Sequence, residues 1–131
     1  METKVANQLN PLVLAFLGDA EFTLFVRKRL VAMHDMKSGG LHKLTSKYVS
    51  ARAQAKIYEE IGEFLTENES EIARRCRNSH NVSKAKNAGL ADYKKATALE
   101  GVIGFLSLTD YPRCEQVMQK SVEIIEREEQ L

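Results

Sequence analysis

Apolar positions recur along this chain with the period of a helix, and no stretch carries a persuasive strand alternation. Asn10-Pro11 has the form of an N-cap followed by proline at the first helical position, and opens a helix expected to run to about Val31. Gly39-Gly40 marks a break. From there Leu41, Leu44, Tyr48, Ala51, Ala55, Tyr58, Gly62 and Leu65 step by threes and fours, predicting one long helix with a single buried stripe. Lys43, Lys47 and Arg52 fall off that stripe, toward solvent or a partner. A short helix is expected from Ser70 to about Arg77. The polar stretch Asn78–Asp92 reads as a long loop, a kind of segment that often carries function. Helix resumes from about Leu90 to Leu108. Thr109-Asp110 with Pro112 restarts the chain as a last helix to about Glu128. The expected architecture is an all-α bundle of five or six helices.

Two acids break this pattern. "ATALEGVIGFLSL", Ala96 to Leu108, holds Glu100 as its sole charged residue, and Asp19 lies among Leu12, Ala15, Phe16, Phe22 and Val26. An isolated buried carboxylate is costly unless paired, protonated or bound to a metal. Both helices carry small residues near the acid: Gly18 and Ala20 on one, Ala96, Gly101 and Gly104 on the other. Glycine in a helix interior costs about 1 kcal/mol against alanine, so these positions point to close approach of helix axes. Two facing acids without a basic partner on their own helices suit a hard divalent cation, Mg²⁺ or Mn²⁺, which keeps several waters and needs few protein ligands. Such a site suits phosphodiester hydrolysis. Alternatively, each acid pairs with a lysine or arginine elsewhere, or points out of the bundle.

Composition narrows the setting. The 131 residues, 44% hydrophobic and 28% charged, suit a single domain with one core. No apolar run approaches membrane-spanning length, and the N-terminus lacks the apolar core of a signal peptide, so a cytoplasmic protein is expected. Cys76 and Cys114 are then expected to stay reduced, and His34, His42 and His80 show no zinc-ligand spacing. The net charge of +1 hides a segregation. Between Arg27 and Lys56 Asp35 is the only acid among eight basic residues, and between Arg74 and Lys95 Asp92 is the only acid among seven. Two basic blocks offer a local surface for a polyanion, or solvate the molecule and pair with its acidic stretches.

"AFLGDA", Ala15 to Ala20, resembles the E-x-L-G-D signature of the ribonuclease III family, and "LEGVIGFLSL", Leu99 to Leu108, resembles its second acidic motif, E-A-L-I-G-x-x-x-L. "LHKLTSKYVSARAQA", "RRCRN" and "YKKATALEGVIGFLSL" extend the likeness over nearly the whole chain. The layout is similar to the Mini-ribonuclease III branch, a catalytic domain without a double-stranded-RNA-binding domain. Ala15 stands where the larger enzymes have their first Glu, and Thr97 where they have an Asp, so only Asp19 and Glu100 carry over as metal-binding acids. Cys76 stands where glycine is expected at a turn.

The resemblance implies a ribonuclease III-like helical bundle spanning residues 1–131. It also implies a Mg²⁺-dependent homodimer that cleaves double-stranded RNA, the 23S ribosomal RNA precursor among family substrates. Asp19 and Glu100 are the expected metal ligands and catalytic acids, with Mn²⁺ able to substitute. A two-fold axis would set two sites against opposite strands. Leu9, Leu12, Val13 and Phe16 would belong either to the dimer interface or to the core. Arg74, Arg75, Arg77, Lys84 and Lys86 in or beside the loop, with Lys43, Lys47 and Arg52, are the expected RNA contacts. Without a separate RNA-binding domain, selection would rest on RNA shape or a ribosomal-protein helper. Ala15 and Thr97 motivate the alternative of a catalytically silent RNA-binding or ribosome-associated protein on the same fold.

Overall fold

A central helix organises the molecule. The computed structural model describes residues 1–79 and 89–131. Among these residues the regular elements are all helical: α1 (Thr3–Ala6), α2 (Pro11–Met33), α3 (Ser38–Val49), α4 (Ala51–Ile61), a 3₁₀ turn (Gly62–Phe64), α5 (Glu67–Asn78), α6 (Leu90–Thr109) and α7 (Tyr111–Glu129). Every residue from Ala96 to Leu106 is buried except Glu100. Such all-round burial is the reason α6 shows no amphipathic stripe: α2, α4, α5 and α7 pack around it. No helix among the described residues is long and apolar enough to cross a membrane.

The α2–α6 crossing is the most extensive helix packing in the molecule. A methyl group on Gly18 would lie 1.7 Å from the Glu100 carbonyl oxygen, and one on Gly104 would lie 1.9 Å from the Leu14 carbonyl oxygen. The two backbones therefore touch, as the small residues suggested. Gly101 is spared a side chain for another reason, since a methyl there would sit 2.2 Å from Cys76 Sγ. Cys76 is thus a buried helical residue of α5 rather than part of a turn, and both cysteines are free.

Helix starts follow side-chain caps. Asn10 Oδ1 accepts from the Leu12 N–H at 2.8 Å. Thr66 and Glu69 form a reciprocal capping box that starts α5 at Glu67, ahead of the expected Ser70. Asp110 caps α7 through the Arg113 N–H.

The expected long helix from Leu41 to Leu65 does not exist. It breaks at Ser50, whose extended ψ of 157° ends α3 while its Oγ accepts from the Ala53 N–H and starts α4. The buried face of α4 shifts accordingly. Ala51 and Gly62 are exposed, while Ala53, Gln54, Ala55, Ile57 and Ile61 are buried. Gly39 and Gly40 are no break either; they lie in the first turn of α3.

Two ion pairs brace the frame. Arg29 holds Glu126 through two bonds of 2.7 Å, and Tyr48 donates to the same carboxylate at 3.0 Å, tying α2 and α3 to α7. Arg113 grips Glu69 through two bonds of 2.9 Å, donates to the Phe64 carbonyl, and stacks 4.5 Å from the Phe64 ring centre.

Candidate active site

The backbone contact between Gly18 and α6 sets Asp19, the next residue, beside Glu100. The two acids line one cleft of about 430 Å³, with Phe16, Gln54, Tyr93 and Thr97 also on its walls. Asp19 is the exposed member of the pair and Glu100 the half-buried one, so the apolar surroundings expected of Asp19 belong to other faces of α2.

Neither carboxylate forms an ion pair among the described residues. The alternative of neutralisation by a lysine or arginine therefore has no support there. The electrostatic consequence falls on Glu100. Burial, followed by the charge of Asp19, pushes its pKa up to about 8, against the opposing bond from Gln54. Gln54 Nε2 donates to Glu100 Oε2 at 3.2 Å.

Two like-charged carboxylates with no countercharge make a site that a cation completes. The residues present fit Mg²⁺ or Mn²⁺: both donors are hard oxygens, and a well-hydrated ion needs only one or two carboxylates. No cluster of three or more His, Cys, Asp or Glu suited to a metal occurs among the described residues, which argues against an all-protein cage. The positions where larger enzymes carry further acids are filled differently. Ala15 is buried, and Thr97 Oγ1 donates back to the Tyr93 carbonyl at 2.9 Å.

The expected RNA contacts divide. Lys43, Lys47 and Arg52 are exposed on α3 and α4. Lys47, Arg52 and Lys56 line a second groove beside Ser50, whose neighbours Val49 and Ala51 line the acidic cleft. Arg74 is exposed but paired with Glu71, and Arg75 turns inward to the Asn7 carbonyl at 3.1 Å. Arg77 is half-buried at the end of α5. Lys84 and Lys86 lie outside the described residues. Of the four apolar residues between core and interface, Leu9 packs on the core. Val13 and Phe16 are 52% and 81% exposed. Leu12 is intermediate and, with Phe16, forms one rim of the cleft.

Sequence reasoning missed Gln54. The "AQA" of α4 holds an amide on a buried face, three residues after Ala51 and four before Tyr58, and that spacing is the signal that could have found it.

Comparison with known proteins gives four findings. Residues 12–111 match the Ribonuclease III domain model. The chain is 42% identical over 127 residues to a Mini-ribonuclease 3 of Brevibacillus brevis, covering 96% of this chain and 95% of that one. It is 40% identical over 120 residues to the Mini-ribonuclease 3 of Staphylococcus aureus, covering 89% and 90%. A crystal structure of a Fusobacterium nucleatum protein superposes with a TM-score of 0.78 at 30% identity, covering 92% of this chain and 95% of that one.

Proposed function

The chain belongs to the ribonuclease III family, among its Mini-ribonuclease 3 members, and is an endoribonuclease; from that premise we propose that it hydrolyses double-stranded RNA with Mg²⁺ held by Asp19 and Glu100. The observation that carries this reading is the acid pair: two carboxylates in one cleft, one with its pKa raised to about 8, and no basic residue against either among the described residues. Bound there, the cation supplies Lewis acidity for attack of water on a phosphodiester. The protein's own contribution is positional. The glycine crossing fixes the spacing of the two acids, burial keeps Glu100 from being fully hydrated, and the Gln54 amide holds its carboxylate.

The RNA backbone is gripped by Lys43, Lys47 and Arg52, in keeping with recognition of A-form duplex through phosphates and 2′-hydroxyls. Supporting this, the groove of Lys47 and Arg52 adjoins the acidic cleft across the Ser50 break. Lys84, Lys86 and Arg77 are the further contacts, from in or beside residues 80–88. Arg74 and Arg75 are weaker candidates because each has an intramolecular partner. Two copies pair through the exposed Phe16 and Val13 with Leu12, a patch contiguous with the rim of the cleft. The natural substrate is the 23S ribosomal RNA precursor in the cytoplasm, with a ribosomal-protein helper aiding its selection.

The deciding experiment is incubation with a long RNA duplex, with Mg²⁺ and with EDTA. Discrete cleavage products are expected with Mg²⁺ only. Binding without product over a titration of metal and protein would instead support the silent RNA binder. For the grip, log affinity against log salt is expected to have a steep slope. Removal of Lys43, Lys47 and Arg52 flattens it by roughly one unit for each phosphate that is no longer neutralised. An unchanged slope would remove these residues from the interface.

A further inference from the structure

Gln54 is only 2% exposed, yet it lines the acidic cleft. Its Nε2 donates twice, to the Val49 carbonyl at 2.9 Å and to Glu100 Oε2 at 3.2 Å. The first partner is available because of the break at Ser50. The Gln54 N–H bonds to the Ser50 carbonyl and the Ala53 N–H to Ser50 Oγ, so the side chain of Gln54 takes up the carbonyl one residue before the break. A main-chain carbonyl can only accept, so the NH₂ end of the amide must face Val49 and the orientation of the group is fixed.

The other end is left over. Oε1 is buried and no donor among the described residues reaches it. A buried acceptor without a partner costs about 1–3 kcal/mol, which a leucine or methionine of similar bulk at this position would avoid. The unpartnered oxygen therefore points to a donor that arrives with a ligand. A hydrated divalent cation held by two carboxylates presents O–H donors on its remaining faces, and outer hydrogen bonds to such waters are the usual companions of direct ligands.

We propose that Gln54 is a positioning residue of the cation site: its NH₂ group tethers the Glu100 carboxylate to the Val49 carbonyl, and its Oε1 accepts a hydrogen bond from a water in the cation's hydration shell. This rests on Asp19 and Glu100 being the metal ligands.

The test is a titration of the full-length, RNA-free protein with Mn²⁺, reading free Mn²⁺ by electron paramagnetic resonance, for the wild type, Gln54→Met, Gln54→Glu and Glu100→Gln. The thermal midpoint in EDTA is taken for each as a check on folding. Gln54→Met keeps the bulk and loses both hydrogen-bonding ends, and is expected to weaken Mn²⁺ binding about tenfold. Gln54→Glu keeps an acceptor and loses the tether to Glu100 and Val49, and is expected to weaken Mn²⁺ binding less than Gln54→Met does. A purely structural role would make Gln54→Glu as damaging as Gln54→Met, because neither can donate to the Val49 carbonyl.

Wild-type affinity in Gln54→Met, or equal weakening in both variants, overturns the inference. If Gln54→Met does not fold, a folded Gln54→Glu that has lost Mn²⁺ binding overturns it just as well. Loss of binding in Glu100→Gln beside full binding in Gln54→Met discards the role of Gln54 and leaves the metal site standing. A wild type that binds no Mn²⁺ discards both.

Discussion

Glu69 and Glu100 are both acids drawn into the protein, and their surroundings push them opposite ways. Burial alone would raise the pKa of Glu69, but the hydrogen bonds from Arg113 and from the Thr66 cap, with the charge of Arg113, bring it below the ordinary carboxylate range. Glu100 has burial and the charge of Asp19 acting together, opposed only by a neutral amide, and its pKa rises to about 8. One acid has a guanidinium, a capping box and a neighbouring ring, and holds α5 against α7. The other lacks a countercharge and opens on a cleft. A buried acid that is fully satisfied supports the frame; one left short of positive charge is where a ligand belongs.

The strongest way to break this contrast is to neutralise each acid's region separately. Glu100→Gln or Asp19→Asn is expected to lower cleavage of a duplex by about a thousandfold or more, the order of effect seen when a charge-stabilising group is removed from a reaction centre. Folding should be retained. Near-normal cleavage by either variant in a gel assay would refute the role of the pair. Arg113→Met should do the reverse. It leaves Glu69 buried and unpaired, and is expected to cost about 3 kcal/mol in denaturant unfolding, while cleavage per folded molecule stays near wild type. A loss of stability below about 1 kcal/mol would show that Arg113 and Glu69 behave as a surface pair.

How far the sequence revealed this contrast depends on the scale of the signal. Glu100 was legible because every neighbour from Ala96 to Leu106 is apolar or small and becomes buried, so the single acid stood out. Asp19 and the glycine crossing were legible through Gly18 and Gly104, whose close approach needs no partner to be visible. The break at Ser50 was not. Apolar steps of three and four run straight across it, and a side-chain cap worth about 1 kcal/mol decides the backbone against that period. Gln54 was missed for another reason: it lies three residues after Ala51 and four before Tyr58, at the edge of the apolar stripe, and a lone amide among alanines carries no local signal of its partners. The pairing of Glu69 with Arg113 joins residues far apart in sequence, as does the inward turn of Arg75 toward Asn7, and no local pattern reports such contacts. The Thr66–Glu69 box also stood in the sequence, as T-x-x-E, but was passed over in expecting this helix to start at Ser70.

The subtlest separation of the two acids is by pH, without any cation. Glu100 holds its proton up to about 8 in the folded chain, whereas the ordinary carboxylate value is 4.5. Between those values the folded state binds more protons than the unfolded state, so this contribution is complete below pH 4.5 and is lost as pH rises toward 8. Glu69 has the opposite sign: its contribution is present above the ordinary carboxylate value and fades as pH falls through its lowered folded value. In EDTA the thermal midpoint of the wild type should therefore fall between about pH 5 and 8. Glu100→Gln should fall less, and at about pH 8 should unfold several degrees above the wild type. Adding Mg²⁺ should raise the wild-type midpoint most at the alkaline end, because the cation takes the place of the proton between the two acids. Parallel pH profiles for wild type and Glu100→Gln would mean that the carboxylates do not share a field. The case for an ion between Asp19 and Glu100 would then have to rest on cleavage.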